Sequence, residues 1–114
     1  MLINQGVVTM NEQAVVLINA IEVPTAEDQS FMARWERAHD FLLSQPGYRS
    51  SQLHKSVEPG ADFRYINVAV WDSEDAFRAA ASRPEFRDFS VEYPLHSSVY
   101  QVVSADQRWV PRAH

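Results

Sequence analysis

Two periods of hydrophobic residues take turns along the chain. From Ala14 to Val23 nearly every residue is apolar and many are β-branched, and Pro24 ends the run. That pattern predicts a strand buried on both faces. Thr25 with Asp28 makes a capping-box-like start, after which Phe31, Trp35, Ala38 and Leu42 recur at helical spacing up to Pro46-Gly47. A helix of about five turns is expected there. Tyr48 to Val57 and Phe63 to Trp71 then read as strands, and the Pro59-Gly60 pair between them supplies turn chemistry. Asp72 or Ser73 caps a second helix carrying Ala76, Phe77 and Ala80. Pro84 breaks that helix and starts a short helical piece through Phe86 and Phe89, and Pro94 ends the region. Val99, Tyr100, Val102 and Val103 form the last strand.

This order of elements is the βαββαβ arrangement of a ferredoxin-like α+β fold: an antiparallel four-stranded sheet with both helices on one face. The first and third strands should lie centrally, and both are apolar on both parities: Val15, Leu17 and Ile21 against Val16, Ile18 and Ala20, then Phe63, Tyr65 and Ala69 against Ile66, Val68 and Val70. The second strand is mostly polar, as an edge strand can be. Two helices cover only one face of the sheet, so a second copy of the chain is expected on the other, giving a homodimer. The domain should run over residues 14–104, between an N-terminal arm, 1–13, and a polar tail, 105–114, in which Trp109 and Val110 are the only large apolar groups.

Composition narrows the classes. The chain has 114 residues and no cysteine, which removes disulfides and thiolate metal sites and fits the cytoplasm. Its formal charge of −5, with scattered Lys and Arg, argues against nucleic acid as a partner. No apolar run has the length of a membrane span and no leader-like segment opens the chain, so a soluble protein is expected. Neither a Gly-rich phosphate loop nor a nucleophile elbow is present.

What remains is a set of polar groups on apolar strands. Asn67 and Trp71 leave the same strand face with the small Ala69 between them, which makes room for a ligand. The structural alternative is that Trp71 is a core aromatic and Asn67 an amide bonded to the backbone. Asn19 sits in the first strand with the parity of Leu17 and Ile21, so Asn19 and Asn67 either satisfy each other or together face a ligand. Of the four histidines, His39 falls beside Asp40 in the first helix as a surface or half-buried residue, and His54 lies in the polar edge strand. His96 lies just before the last strand, where it closes a pocket or has no role, and His114 is terminal. None has metal-site spacing, and no metal is expected.

These residues resemble the antibiotic biosynthesis monooxygenase family, from about Val15 to Val103. The resemblance is carried by Pro46-Gly47-Tyr48 leading to Leu53-His54, by Asn67-Val68-Ala69-Val70-Trp71-Asp72-Ser73-Glu74-Asp75-Ala76-Phe77, and by Pro84-Glu85-Phe86-Arg87. It implies a dimeric α+β barrel and, in the quinone-forming branch, oxidation of a phenolic or anthrone-type polycyclic by dioxygen without any cofactor. Carried over residue by residue, it places Asn67, Trp71, His54 and Arg87 at the catalytic positions. The Asn67 amide and Trp71 indole would stabilise charge on reduced oxygen, Arg87 would favour the phenolate, and His54 would act as base or hydrogen-bond the substrate. Asn19, Tyr65, Phe77, Phe86 and His96 complete the expected substrate wall, with Phe77 standing where that branch has a tyrosine. Heme-degrading relatives share an Asn and a Trp that match Asn19 and Trp71, but their iron-ligating histidine falls around Ser90. Heme binding or degradation is therefore the alternative reading, together with a non-catalytic module that holds an aromatic ligand.

Overall fold

The computed structural model describes residues 14–89 and 92–106. The apolar run opens as β1, Val15–Ile21, which pairs antiparallel with β3, Tyr65–Trp71, on one side and with β4, Leu95–Tyr100, on the other. β2, Tyr48–Lys55, pairs with the far edge of β3, so the order across the sheet is β2-β3-β1-β4. The two strands expected at the centre are at the centre, and the fold is ferredoxin-like α+β. The first helix, α1, spans Asp28–Leu43, and α2, Glu74–Ala81, is followed by the short α3, Pro84–Phe89.

Strand alternation separates the two faces of the sheet. Along β3, Tyr65, Asn67, Ala69 and Trp71 are buried, whereas Val68 and Val70 are half-buried and Ile66 is 37% exposed. On the buried side Leu17, Ala69 and Trp71 pack against Leu42 of α1 and against Phe77 and Ala80 of α2. Ile21 and Tyr65 pack against Phe31, near the start of α1. Val16, Ile18 and Ala20 share the opposite, helix-free face with Ile66, Val68 and Val70. The two-sided apolar pattern of β1 and β3 is thus half accounted for by this chain's own helices.

Local chemistry sets the ends of the elements. Gly47 adopts φ +84°, and a Cβ there would come within 2.5 Å of the Ala76 Cβ, so only glycine lets this turn lie against α2. The Gly47 carbonyl accepts from the Asp72 backbone N–H at 2.7 Å, tying the start of β2 to the end of β3. Ser73 caps α2, its hydroxyl accepting from the Ala76 N–H.

Three boundaries depart from the sequence reading. The Thr25–Asp28 capping box does not form: residues Thr25–Glu27 make a 3-10 turn, and no side chain caps α1. The Asp28 carboxylate is instead taken by Arg64, Tyr65 and Lys55. β4 runs Leu95–Tyr100, so Val102 and Val103 fall beyond its end, and it begins at Leu95 rather than Val99 because the ladder is engaged directly after Pro94, whose carbonyl accepts from Glu22. Its polar stretch His96-Ser97-Ser98 looks unlike a strand because β4 is an edge, half open to water. β2 carries an irregularity between Tyr48 and Ser50 that alternation does not reveal. The arm, 1–13, and most of the tail lie outside the described residues.

Candidate active site

Between α1 and the sheet lies a cavity of about 100 Å³. β1 contributes Asn19 to its wall and β3 contributes Asn67, Ala69 and Trp71, while α1 contributes Arg34, Trp35 and His39. Phe86 and Tyr93 also line it, both half-buried. Apart from Ser51 of β2, the rest of the wall is aliphatic or aromatic, so its few polar atoms stand in a low-dielectric setting.

Asn19 and Asn67 are direct partners in the β1–β3 register, on the helix-covered face. They do not satisfy each other. The Asn67 Oδ1 accepts instead from the Trp35 indole N–H, 3.2 Å away. An indole N–H can only donate, so this bond fixes the orientation of the amide: its oxygen faces Trp35, and its NH₂ group is left for another acceptor. The Asn19 Oδ1 and the Trp71 Nε1 are both buried with no hydrogen-bond partner among the described residues. A buried polar atom without a partner costs about 1–3 kcal/mol. Two such atoms on residues lining one cavity are therefore a strong sign that something polar belongs there.

The expected site residues fall into three groups. Asn19, Asn67, Trp71 and Phe86 line the cavity. Phe77 and Tyr65 are buried on the same side but behind the wall. Phe77 packs edge-on to Trp71, with ring centroids 5.7 Å apart, inside an apolar cluster. Tyr65 donates its hydroxyl to the Asp28 carboxylate at 2.9 Å. The remaining three do not reach the cavity. His54 lies opposite Ile66 on the helix-free face, its Nδ1 beside the Ile66 carbonyl at 3.2 Å. His96 lies opposite Ala20 on that same face, with its ring against Phe63. Arg87 is exposed on α3 and is not part of the wall. Ser90 lies outside the described residues.

Sequence reading missed Arg34 and His39 as wall residues. His39 stacks on Trp35 with ring centroids 4.9 Å apart and planes 8° from parallel, and Tyr48 packs edge-on to it. The signal was present, since His39 follows Trp35 by four residues, the spacing that puts two side chains on one helix face. Arg34 is held by Glu92 at 3.0 Å.

The end of the sheet beyond the cavity behaves differently. Arg64 holds Asp28 with two hydrogen bonds of 2.8 Å, and Lys55 adds a contact of 3.3 Å. Hydrogen bonding by Arg64, supported by Tyr65 and Lys55, keeps the Asp28 carboxyl well below the usual carboxylate range. Burial, and then donation to Asp28, pushes the Tyr65 hydroxyl up from its ordinary value. No group of His, Asp or Glu able to hold a metal occurs among the described residues.

The sequence profile of the antibiotic biosynthesis monooxygenases matches residues 14–91. The chain belongs to that family. Within it, the chain is 36% identical over 70 residues to a mycobilin-producing heme oxygenase of Mycobacterium tuberculosis, which covers 61% of this chain and 65% of that protein. It is 35% identical over 86 residues to a deoxynogalonate monooxygenase of Streptomyces nogalater, covering 74% of this chain and 66% of that protein. It thus spans just under two thirds of the length of both relatives. The crystal structure of a mutant form of SnoaB, a cofactor-independent oxygenase from S. nogalater, superposes with a TM-score of 0.71 at 25% identity, over 82% of this chain and 96% of SnoaB. Members similar to this chain therefore include both a heme oxygenase and a cofactor-independent oxygenase. No described helix is long and apolar enough to cross a membrane.

Proposed function

We propose that this family member is a cofactor-independent monooxygenase that oxidises a phenolic or anthrone-type polycyclic aromatic to a quinone with dioxygen. The observation that carries this reading is a set of polar atoms with no partner among the described residues, on side chains that line one largely apolar cavity: the Asn67 NH₂, the Trp71 N–H and the Asn19 Oδ1. Two donors and one acceptor suit a ligand that presents oxygen, first as hydroxyl and then as anion. A deprotonated phenol is electron-rich enough to give an electron to dioxygen itself. The protein's part is to hold the anion away from water and to stabilise charge as it develops on oxygen, which preorganised N–H donors do best in a low-dielectric site. The balance closes without an outside reductant: one oxygen atom of dioxygen enters the ring carbonyl, and the other leaves as water with the two hydrogens the substrate loses. The relatives from S. nogalater support the same class of chemistry.

At about 100 Å³ the cavity is smaller than the few hundred that a drug-sized ligand fills. Binding of a polycycle therefore requires half-buried wall side chains, such as Phe86 and Tyr93, to move outward. Heme suits these residues less well. The chain from Asp72 to Leu95 holds no histidine, and the imidazole on the described wall, His39, lies flat on Trp35. A tight imidazole-ligated hemin complex in a spectroscopic titration would favour the heme alternative.

The helix-free face, with Val16, Ile18, Val68 and Val70, is the proposed seat of a second copy, and the cytoplasm is the proposed compartment. Val68→Asp should convert a dimer to a monomer in sedimentation. Wild-type protein that stays monomeric at all concentrations would contradict the pairing. The test of the reaction is oxygen uptake across a panel of anthrones and dihydroquinones, with chelator present and no cofactor added. Uptake with quinone formation supports it. Saturable binding of the same compounds without uptake would leave a non-catalytic binding module.

A further inference from the structure

We propose that His39 is the proton acceptor of this site, the group that takes the phenolic proton of the substrate and so switches on its reaction with dioxygen. This deepens the reading above and rests on it. The sequence assigned that task to His54, but His54 lies on the opposite face of the sheet, beside the Ile66 carbonyl. Among the described residues of the cavity wall, those that titrate or carry charge are Arg34, His39 and Tyr93. A guanidinium cannot accept a proton, and Arg34 is in any case paired with Glu92. Tyr93 donates its hydroxyl to Glu27 at 3.0 Å. Tyr48, which packs edge-on to the imidazole, shares its hydroxyl with Ser51. Only the imidazole combines a place on the wall with a ring-nitrogen lone pair able to accept a proton.

The packing around His39 suits that task. Its ring lies flat on Trp35, 4.9 Å between centroids, and a face-to-face stack leaves the ring edge that carries both nitrogens uncovered by Trp35. The same Trp35 donates its indole N–H to Asn67. One helical residue thus sets the plane of the base and the orientation of the amide that faces the developing anion. In the step itself the phenol O–H bond breaks and an N–H bond forms on His39, while the electron pair stays on the phenolate oxygen. The imidazolium returns its proton to the peroxide oxygen that leaves as water, so His39 is neutral again at the end of each turnover.

The experiment compares wild type with His39→Phe, which keeps an aromatic ring against Trp35, and with His39→Ala, which leaves space for added imidazole. A dihydroxyanthrone is first bound without oxygen at neutral pH. Wild type should show the red-shifted absorption of the phenolate, and His39→Phe the spectrum of the neutral phenol. With oxygen admitted, turnover of His39→Phe should fall by about 10²-fold or more, and imidazole should restore part of the activity of His39→Ala but none to Asn67→Ala. Thermal melts of each variant separate a folding defect from a chemical one. A phenolate spectrum in His39→Phe, or turnover equal to wild type, would overturn the assignment. A phenolate spectrum in wild type with no oxygen uptake would instead overturn the oxidation reading and leave His39 as the base.

Discussion

The helix-covered face of β3 carries polar groups at both ends, and the two ends have opposite fates. At its start, Tyr65 meets Asp28, which also holds Arg64 and Lys55, so every strong donor there has an acceptor. Two and six residues on, the Asn67 amide is half satisfied and the Trp71 N–H has no partner among the described residues, although Trp71 is only 1% exposed. Both ends are sheltered by α1 and its neighbours. The difference is that the first end uses its polar groups to fasten α1 to the sheet, whereas the second leaves them without a partner among the described residues, on side chains that line a cavity. A buried polar group with a partner is structure, and one without a partner is a request for a ligand.

That contrast can be broken by substitutions that should affect one end only. The largest effect is expected for Asn67→Ala, which removes a donor at the developing oxyanion. Turnover should fall by about 10²-fold while substrate affinity changes little, since the interaction is strongest in the transition state. Steady-state oxygen uptake checks it, and a rise in KM with kcat intact would point to simple binding. Trp71→Phe should be milder, roughly tenfold in kcat, because the ring remains and one of two donors is kept.

Asp28→Asn should do the reverse, lowering the thermal midpoint by several degrees and leaving kcat per folded molecule unchanged. Its pH dependence follows from the depressed Asp28 carboxyl. The folded protein holds this proton more weakly than the unfolded chain does, so the stabilisation is fully present above the ordinary carboxylate range. It is lost as pH falls below about 4. The gap in melting temperature between wild type and Asp28→Asn should therefore be wide at pH 7 and close on acidification. The smallest effect is expected for Arg87→Gln, within about twofold in turnover by the same assay, because Arg87 does not line the cavity.

The strands, their order and the pairing of Asn67 with Trp71 were legible because they rest on period and parity, which survive folding unchanged. The start of β4 was not legible, because an edge strand with His96-Ser97-Ser98 open to water has no apolar signature. The capping box failed for a tertiary reason: Asp28 gains more from Arg64, 36 residues away, than from its own helix end. The site was half legible. Asn19, Asn67 and Trp71, which line the cavity, stood out because amides and an indole on apolar strands are conspicuous. His54 and Arg87 were placed by resemblance and His96 by its position at the entry to the last strand, which fix position along the chain but not which way an edge strand or a short helix turns its side chains. His39 was passed over because Asp40 beside it suggested solvent, whereas the i, i+4 relation to Trp35 points the imidazole inward.

The central claim is that the Trp71 N–H is kept without a protein partner so that a ligand oxygen can meet it. The most direct test is the indole N–H resonance of Trp71, assigned by loss in Trp71→Phe and followed by NMR while an oxygen-inert phenol is titrated in. The account expects a downfield shift of that signal on saturation, with the Trp35 signal moving less because its N–H is already given to Asn67. A Trp71 signal that stays in place while the phenol saturates the protein would contradict it.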